Sequence, residues 1–420
     1  MKRLKIDRLQ PGDIVLTARP TKLGRGIRMS TKGVVSHAMI CVQHGSIIDS
    51  TSVGVHARNL QRELFELDEK VYAFRVRSPL SDVQLAQLIE FARSQIGARY
   101  SKAEAARSVL GGPKPRNNRQ FCSRLVARAY ASIGLHLVRD EDYCTPEDLR
   151  VSPFLHELSD ITEDAPEHEL SARRERPNQI DIMQKSTNAI LAVARKLDPS
   201  VEHFSDLDRL VQQHPEWDSQ IAQAYRESGY LDLWKIDRKV NPFHYDADAM
   251  DSIFNDATSA DLRAYCVSTI RETYSGGIRF AVNLKHYRTV YQNSRRHTTA
   301  LLITLYEQLV RTHQLRCDTA LTWLQRHFPE DVGCHLERIV PHSELWFSIV
   351  DRVEPNLGAI ARRWIAHAGS ADVCSSCGDP ARDYRLLNSA DTMPGVPSLR
   401  LCDDCVSIRR GGGELLDPLG

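Results

Sequence analysis

The most informative segment of the chain is residues 118–130, Asn118-Arg119-Gln120-Phe121-Cys122-Ser123-Arg124-Leu125-Val126-Ala127-Arg128-Ala129-Tyr130. Apolar residues at helical spacing from Leu125 to Ile133, followed by Gly134, predict an amphipathic helix with Cys122 in its first turn. Unpaired backbone N–H groups and the helix dipole favour a thiolate there, and they can also hold an oxyanion. Cys122 is therefore either a primed nucleophile or a small apolar residue that opens a helix, and only a matching base elsewhere can decide.

Length and composition restrict the class of protein. A chain of 420 residues is too long for one ordinary core, so two or three domains are expected. The 55 Lys and Arg residues offset 54 Asp and Glu residues, which argues against a protein that coats nucleic acid or an anionic membrane. Residues 1–16 lack the apolar stretch and cleavage site of a signal peptide, and no later run reaches membrane-spanning length. We therefore expect a soluble cytoplasmic protein without a transmembrane segment.

Two predicted strands upstream offer a base and a carboxylate. Residues 34–42 and 46–51 read as β-strands around a turn at Gly45. A three-residue turn with Gly45 in the left-handed conformation makes His37 and Asp49 diagonal neighbours on one face, whereas a two-residue turn puts them on opposite faces. The pairs expected from the three-residue turn are Val42 with Ser46, Met39 with Asp49 and His37 with Thr51.

A basic loop precedes these strands. Residues 19–32 contain no acid and five cations, namely Arg19, Lys22, Arg25, Arg28 and Lys32. Such a segment is usually a solvated surface loop, and its functional alternative is a clamp for an anionic part of a substrate. The second interpretation matters only if the loop lies near the chemistry.

Further elements complete the N-terminal region. Residues 71–76 read as a strand, and Ser81 opens a helix with Gln84 at capping-box spacing. Tyr100 follows the glycine that ends this helix. After the Cys122 helix, Thr145 and the proline after it predict the cap and first position of a short helix that closes the unit near residue 156.

A series of motifs in this order resembles the circularly permuted NlpC-type papain-like hydrolases, with the YiiX/YebB-like branch nearest and lecithin retinol acyltransferase a more distant relative. The motifs lie within roughly residues 10–156, and they are Pro11-Gly12-Asp13-Ile14-Val15-Leu16, Ser36-His37-Ala38, Ile48-Asp49 with Gly54-Val55, Ile96-Gly97-Ala98-Arg99-Tyr100, Phe121-Cys122-Ser123-Arg124-Leu125-Val126 and Thr145-Pro146. In this family the histidine precedes the cysteine, as His37 precedes Cys122 here.

The resemblance implies thiol chemistry, with Cys122 as nucleophile, His37 as base and Asp49 as the residue that orients the base. The family often carries a longer acid or a histidine at the position of Asp49. His44 and His56 are the rival bases, one in the predicted turn and the other past the strand. Tyr100 is either a pocket residue or a core aromatic at the end of a helix. The substrate contacts we expect are Tyr100, Ser123, Arg25 and Arg28.

The C-terminal tail carries two C-x-x-C pairs, Cys374 with Cys377 and Cys402 with Cys405, with 24 residues between the pairs. This spacing predicts a closed four-thiolate site for a structural zinc ion, and a redox dithiol pair is the alternative. Strand-like residues 384–387 and 398–401 lie between the pairs and a helix can begin after the second, an order that resembles a treble-clef finger.

Together these features predict the fold class α+β: a circularly permuted papain-like domain followed by an all-α region and a small four-cysteine zinc-binding domain. The predicted ranges are 1–156 for the hydrolase domain, 157–184 for a charged linker, 185–368 for the helical domain and 369–420 for the zinc finger and tail. For the helical domain, partner recognition or oligomerisation is the default expectation.

The predicted activity is a cysteine hydrolase or acyltransferase that cleaves an amide or ester through an acyl-Cys122 intermediate, without a catalytic cofactor. A small cytoplasmic amide, ester or lipid-like substrate fits better than cell-wall peptide, and the basic loop suits an anionic one. Nucleic acid is not an expected partner. The alternative is a non-catalytic binding or regulatory protein that recognises a partner through its helical region and zinc finger.

Overall fold

A computed structural model of the chain describes residues 1–18, 28–29, 33–43, 45–60, 63–101, 104–105, 119–165, 179–256, 258–271, 277–334, 339–396 and 398–419. The chain divides into two compact units, Met1–Tyr230 and Leu231–Gly420. None of the described helices combines the length and hydropathy needed to cross a bilayer.

An antiparallel six-stranded sheet lies at the centre of the first unit. Its strands are β2 (Ile14–Thr17), β3 (His37–Gln43), β4 (Ser46–Thr51), β5 (Gly54–Asn59), β7 (Val71–Val76) and β8 (Leu155–Leu158), in the order β5-β4-β3-β2-β7-β8. A smaller sheet has the order β6-β1-β9 and consists of β1 (Lys2–Leu4), β6 (Leu64–Phe65) and β9 (Thr162–Asp164). Every residue of β2 is fully buried, as expected of a central strand covered on both faces.

The helices of the first unit are α1 (Asp82–Ser94), α2 (Cys122–Ala131), α3 (Pro146–Arg150), α4 (Gln179–Leu197), α5 (Phe204–Gln213) and α6 (Asp218–Glu227). The predicted capping box at Ser81 opens α1, and Thr145 caps α3 in the same way. Helix α2 begins at Cys122 as predicted, and eight of its ten residues are buried. Its apolar side packs on Ile40 and Ile48 of the sheet, which fixes the helix start beside β3.

Part of the segment predicted as a charged linker is regular structure. Strand β8 pairs with β7, β9 pairs with β1, and α4 begins at Gln179. Strand Leu155–Leu158 has only four residues and strand Thr162–Asp164 only three, and both include charged side chains. They therefore lack the alternation of apolar and polar residues that identifies a strand in a sequence. The main sheet therefore continues past residue 156.

The second unit is helical up to its C-terminal sheet. Its helices are α7 (Leu233–Val240), α8 (Ala247–Ser252), α9 (Ser259–Arg271), α10 (Arg279–Asn293), α11 (His297–His327), α12 (Pro329–Cys334), α13 (Glu344–Val353), α14 (Pro355–Ala368), α15 (Ser389–Thr392) and α16 (Asp403–Gly411). The strands β10 (Arg382–Leu386), β11 (Ser398–Leu401) and β12 (Leu416–Pro418) form a sheet in the order β11-β10-β12. Trp346 of α13 and Leu399 of β11 share one apolar cluster with Cys374 and Cys402, so the cysteine-rich tail and the last helices have a common core.

Candidate active site and metal centre

Cys122 is buried at the start of α2 and faces the beginning of strand β3, where His37 lies. Its sulfur is hydrogen-bonded to the His37 ring and accepts from the backbone N–H groups of Ala38 and Ser123. Burial opposes ionisation of the thiol, but the hydrogen bond and charge of His37 and these two N–H groups outweigh it, so the pKa of Cys122 lies below that of an ordinary thiol. The sulfur thus has the surroundings of a stabilised thiolate.

The carboxylate of Asp49 holds the other side of the His37 ring. His37 Nε2 donates to Asp49 Oδ2 at 2.7 Å, and Asp49 is fully buried. Burial favours the neutral ring, but hydrogen bonds to Asp49 and Cys122 outweigh it and raise the pKa of His37 to about 9. Burial likewise works against the Asp49 anion, and the bond from His37 together with the charge of Arg58 lowers its pKa to about 2. Because Nε2 bonds to Asp49, Nδ1 is the ring nitrogen available to the thiol.

The register of the hairpin differs from the prediction at its turn. Met39 pairs with Asp49 as predicted, but Gln43 rather than Val42 pairs with Ser46. The register shifts between Cys41 and Gln43, so a β-bulge at Val42 supplies the extra residue that the prediction placed in the turn. One extra residue in a strand reverses the face of the sheet to which the side chains beyond it point, as a turn longer by one residue also does. Asp49 therefore stays on the same face of the sheet as His37.

Two residues of β5 also face Asp49: His56, which the sequence offered as a rival base, and Arg58, which it did not single out. His56 is the direct cross-strand partner of Asp49, and its Nε2 lies 3.5 Å from Asp49 Oδ1. Arg58 Nη1 lies 3.6 Å from Asp49 Oδ2. The signal that could have found them is the two-residue turn between Thr51 and Gly54, which puts positions 56 and 58 on the face of residue 49.

The predicted substrate contacts lie in different surroundings. Tyr100 is half-buried, and burial together with the charge of Cys122 raises the pKa of its hydroxyl. The Ser123 hydroxyl is buried and donates to the carbonyl of Cys144 at 2.8 Å, so Ser123 faces Cys122 through its backbone N–H instead. Arg28 Nη1 donates to Ser36 Oγ at 3.2 Å, directly before His37. Arg25, Arg19, Lys22, Lys32 and the rival base His44 lie outside the described residues.

The sulfur atoms of Cys374, Cys377, Cys402 and Cys405 all lie within 4.8 Å of one another. The sulfur of Cys377 is 3.5 Å from that of Cys402 and 3.7 Å from that of Cys405, far beyond a disulfide bond. Four sulfurs at about 2.3 Å from a zinc ion are about 3.8 Å apart, so these separations fit a tetrahedral four-thiolate site. The cluster can therefore hold a metal ion.

The first cysteine pair sits in a tight turn braced by α14. Ser376 N donates to Cys374 Sγ at 3.4 Å, and Trp364 Nε1 donates to the Ser376 carbonyl at 3.1 Å. Gly378 has a φ of 86°, and a Cβ there would lie 2.7 Å from the Trp364 ring, so both conformation and space require glycine. Cys402 then caps α16 and Cys405 lies in its first turn, which gives the predicted order of turn, strands and helix.

The N-terminal unit is similar to a known protein family over part of its length. No curated relative matches the chain. The crystal structure of metalloprotein yiiX from Escherichia coli O157:H7 is similar over 38% of this chain and 99% of that chain, with 14% sequence identity and a TM-score of 0.26. Residues 8–143, which include His37, Asp49 and Cys122, match the family described as permuted papain-like amidase enzyme, YaeF/YiiX, C92 family. Residues 8–143 of the chain are therefore similar to the permuted papain-like amidases.

Proposed function

We propose that the chain is a cysteine amidase or related acyl-transfer enzyme with Cys122 as nucleophile, His37 as base and Asp49 as the residue that orients the base. The observation that carries the proposal is the continuous contact from the Cys122 sulfur through the His37 ring to the Asp49 carboxylate. The lowered pKa of Cys122 and the raised pKa of His37 favour a thiolate–imidazolium pair. The match of residues 8–143 to an amidase family supports the same chemistry.

In the proposed reaction the Cys122 thiolate attacks the carbonyl carbon of an amide or ester. Imidazolium Nδ1 of His37 protonates the leaving nitrogen or oxygen as its bond to carbon breaks, which leaves an acyl-Cys122 thioester. Water or another acceptor then attacks the thioester while His37 takes its proton, and the thiolate returns. Backbone N–H groups at the start of α2 stabilise the oxyanion of each tetrahedral intermediate, because these unpaired donors form the positive end of the helix dipole.

For the substrate, we propose a small amide or ester with an anionic part. Arg28 supports this class, because its guanidinium bonds to Ser36 directly before the proposed base. Tyr100, half-buried and held protonated by the raised pKa of its hydroxyl, supplies a hydrogen-bond donor near the thiol. The balance between hydrolysis and transfer depends on whether water or another acceptor reaches the thioester.

For the metal centre, we propose structural zinc held by Cys374, Cys377, Cys402 and Cys405. Burial opposes ionisation of Cys374, but backbone N–H groups lower its pKa to about 7. Burial raises the pKa of Cys377 and of Cys405, so these two thiols would lose their protons to the bound metal ion. Four protein ligands leave no open coordination position, so the ion would serve stability rather than catalysis.

Thiol labelling tests the proposed catalytic pair without knowledge of the substrate. The labelling rate of Cys122 by iodoacetamide is measured across pH by intact mass and peptide mapping, in wild type, His37→Ala and Cys122→Ala. We expect wild type to label at about pH 6, well below the ordinary thiol pKa of about 8.5, and His37→Ala to lose this low-pH labelling. Equal profiles for wild type and His37→Ala would rule out His37 as the group that activates the thiol.

A further inference from the structure

The carboxylate of Glu202, between α4 and α5, bonds to two arginines from a distant part of the sequence. Arg99 Nε donates to Glu202 Oε2 at 2.8 Å, and Arg99 Nη2 donates to Oε1. Arg119 Nε lies 3.4 Å from the same Oε1. The Glu202 side chain is only 8% exposed, so its charge is held mainly by these two guanidinium groups.

Arg99 and Arg119 directly precede two residues that pair as an isolated parallel bridge, Tyr100 and Gln120. Gln120 N donates to the carbonyl of Arg99 and Ser101 N donates to the carbonyl of Gln120, both at 3.0 Å. Glu202 therefore clamps the two chain segments at the position where they pair.

This bridge lies next to the proposed catalytic residues on both sides. Gln120 is two residues before Cys122. Its carbonyl also accepts from Ser50 Oγ at 3.2 Å, and Ser50 follows Asp49 on β4. A shift of the bridge would therefore move the start of α2 relative to the strand that carries Asp49.

Glu202 itself is fixed by the helices on either side of it. Arg195 Nη2 donates to the carbonyls of Glu202 and Gly97, at 2.7 and 2.8 Å. Glu202 N donates to Asp206 Oδ2 at 3.0 Å. A Cβ on Gly97 would clash with the Leu191 side chain, so helix α4 packs closely on the segment that leads to Arg99. Helices α4 and α5 thus hold the clamp from both sides.

We propose that Glu202 is a positioning residue for Cys122: it holds Arg99 and Arg119 together at the Tyr100–Gln120 bridge, so that helices α4 and α5 set the distance from the thiol to His37. The inference rests on the proposed function. Glu202 lies outside residues 8–143, so the residues matched by the family model do not include this support. Without the carboxylate, two guanidinium groups would face each other across the bridge and repel, which would loosen it.

The test compares wild type, Glu202→Gln, Glu202→Asp and the matched control Glu227→Gln, an exposed residue of α6. Cys122 labelling by iodoacetamide is measured across pH, and thermal unfolding is recorded for each variant. We expect Glu202→Gln to label about tenfold more slowly than wild type at about pH 6, with its profile moved toward that of an ordinary thiol. Glu202→Asp restores part of the rate, because it keeps the charge, and Glu227→Gln matches wild type.

Two controls separate this inference from the proposed function. If wild type and His37→Ala have the same profile, the catalytic pair is wrong and the clamp has nothing to position. If they differ but folded Glu202→Gln has the wild-type profile, the pair stands and the positioning role is overturned. Should Glu202→Gln not fold, Arg119→Gln removes the second arm at a half-exposed position, and an unchanged profile there overturns the proposal equally.

Discussion

His37 Nε2 lies 2.7 Å from Asp49 Oδ2 because a bulge at Val42 sets the register between their two strands. Without the extra residue, the short turn at Gly45 would direct the carboxylate to the opposite face of the sheet. The contact of His37 with Asp49 therefore depends on the bulge at Val42, five residues further along the strand that carries His37. Such bulges commonly aim side chains near active sites.

Asp49→Asn tests the orienting carboxylate. The asparagine keeps the size of the side chain but removes the charge that supports the His37 imidazolium, so the pKa of His37 should fall and the thiolate fraction of Cys122 with it. We expect Cys122 labelling by iodoacetamide at about pH 6 to slow roughly tenfold. Asp68→Asn, at an exposed turn position, serves as the control and should label like wild type. A rate unchanged in Asp49→Asn would remove Asp49 from the proposed triad.

The stability of the chain in acid should also report on Asp49. Its pKa is about 2 in the folded chain against 3.8 for the free group, so the stability it contributes is present above about 3.8 and is lost as the pH falls through about 2. The difference in thermal midpoint between wild type and Asp49→Asn should therefore narrow as the pH is lowered from about 5 toward 3. Thermal unfolding by circular dichroism over a pH series measures it, and a difference independent of pH contradicts the assigned shift.

Gly45 is required by its conformation rather than by space. Its φ is 69°, whereas a Cβ there would make only ordinary contacts of 3.7 Å with Ile6. Gly45→Val should cost about 1–2 kcal/mol in the free energy of unfolding, because a β-branched residue is strained in the left-handed region. Gly45→Asn should cost less, since asparagine tolerates that region. Urea unfolding measures the free energy of unfolding of both variants. An equal decrease in Gly45→Val and Gly45→Asn would mean that backbone strain does not cause the destabilisation.

Metal loss should destabilise the second unit and leave Cys122 unaffected. We expect the purified chain to carry one zinc ion, measured by elemental mass spectrometry, and Cys405→Ser to lose it. The thermal midpoint should fall in this variant, because Cys374 and Cys402 belong to the apolar cluster that contains Trp346. Cys317→Ser, a cysteine of the same unit outside the cluster, should keep the metal. A metal-free variant with altered Cys122 labelling would contradict a purely structural ion.

Much of the candidate site could be predicted because its elements have local signals. The start of α2 at Cys122, the capping box at Ser81 and the turn at Gly378 depend on residues within a few positions of one another. The contacts of His56 and Arg58 with Asp49 depend on the pairing of β4 with β5. The short strand β9 depends on β1, which is far away in the sequence, and three residues carry too weak a pattern to identify it alone.

Residue type and short-range spacing are enough to identify the reactive groups, namely a thiol at a helix start, a histidine on a strand and two C-x-x-C pairs. The contacts among these groups form only when the chain folds. The bulge at Val42, the approach of Arg58 to Asp49 and the clamp of Glu202 on Arg99 and Arg119 each join segments that meet only in the folded chain. Packing and desolvation of the whole unit select a strand register or a buried ion pair, and no local sequence pattern encodes these effects.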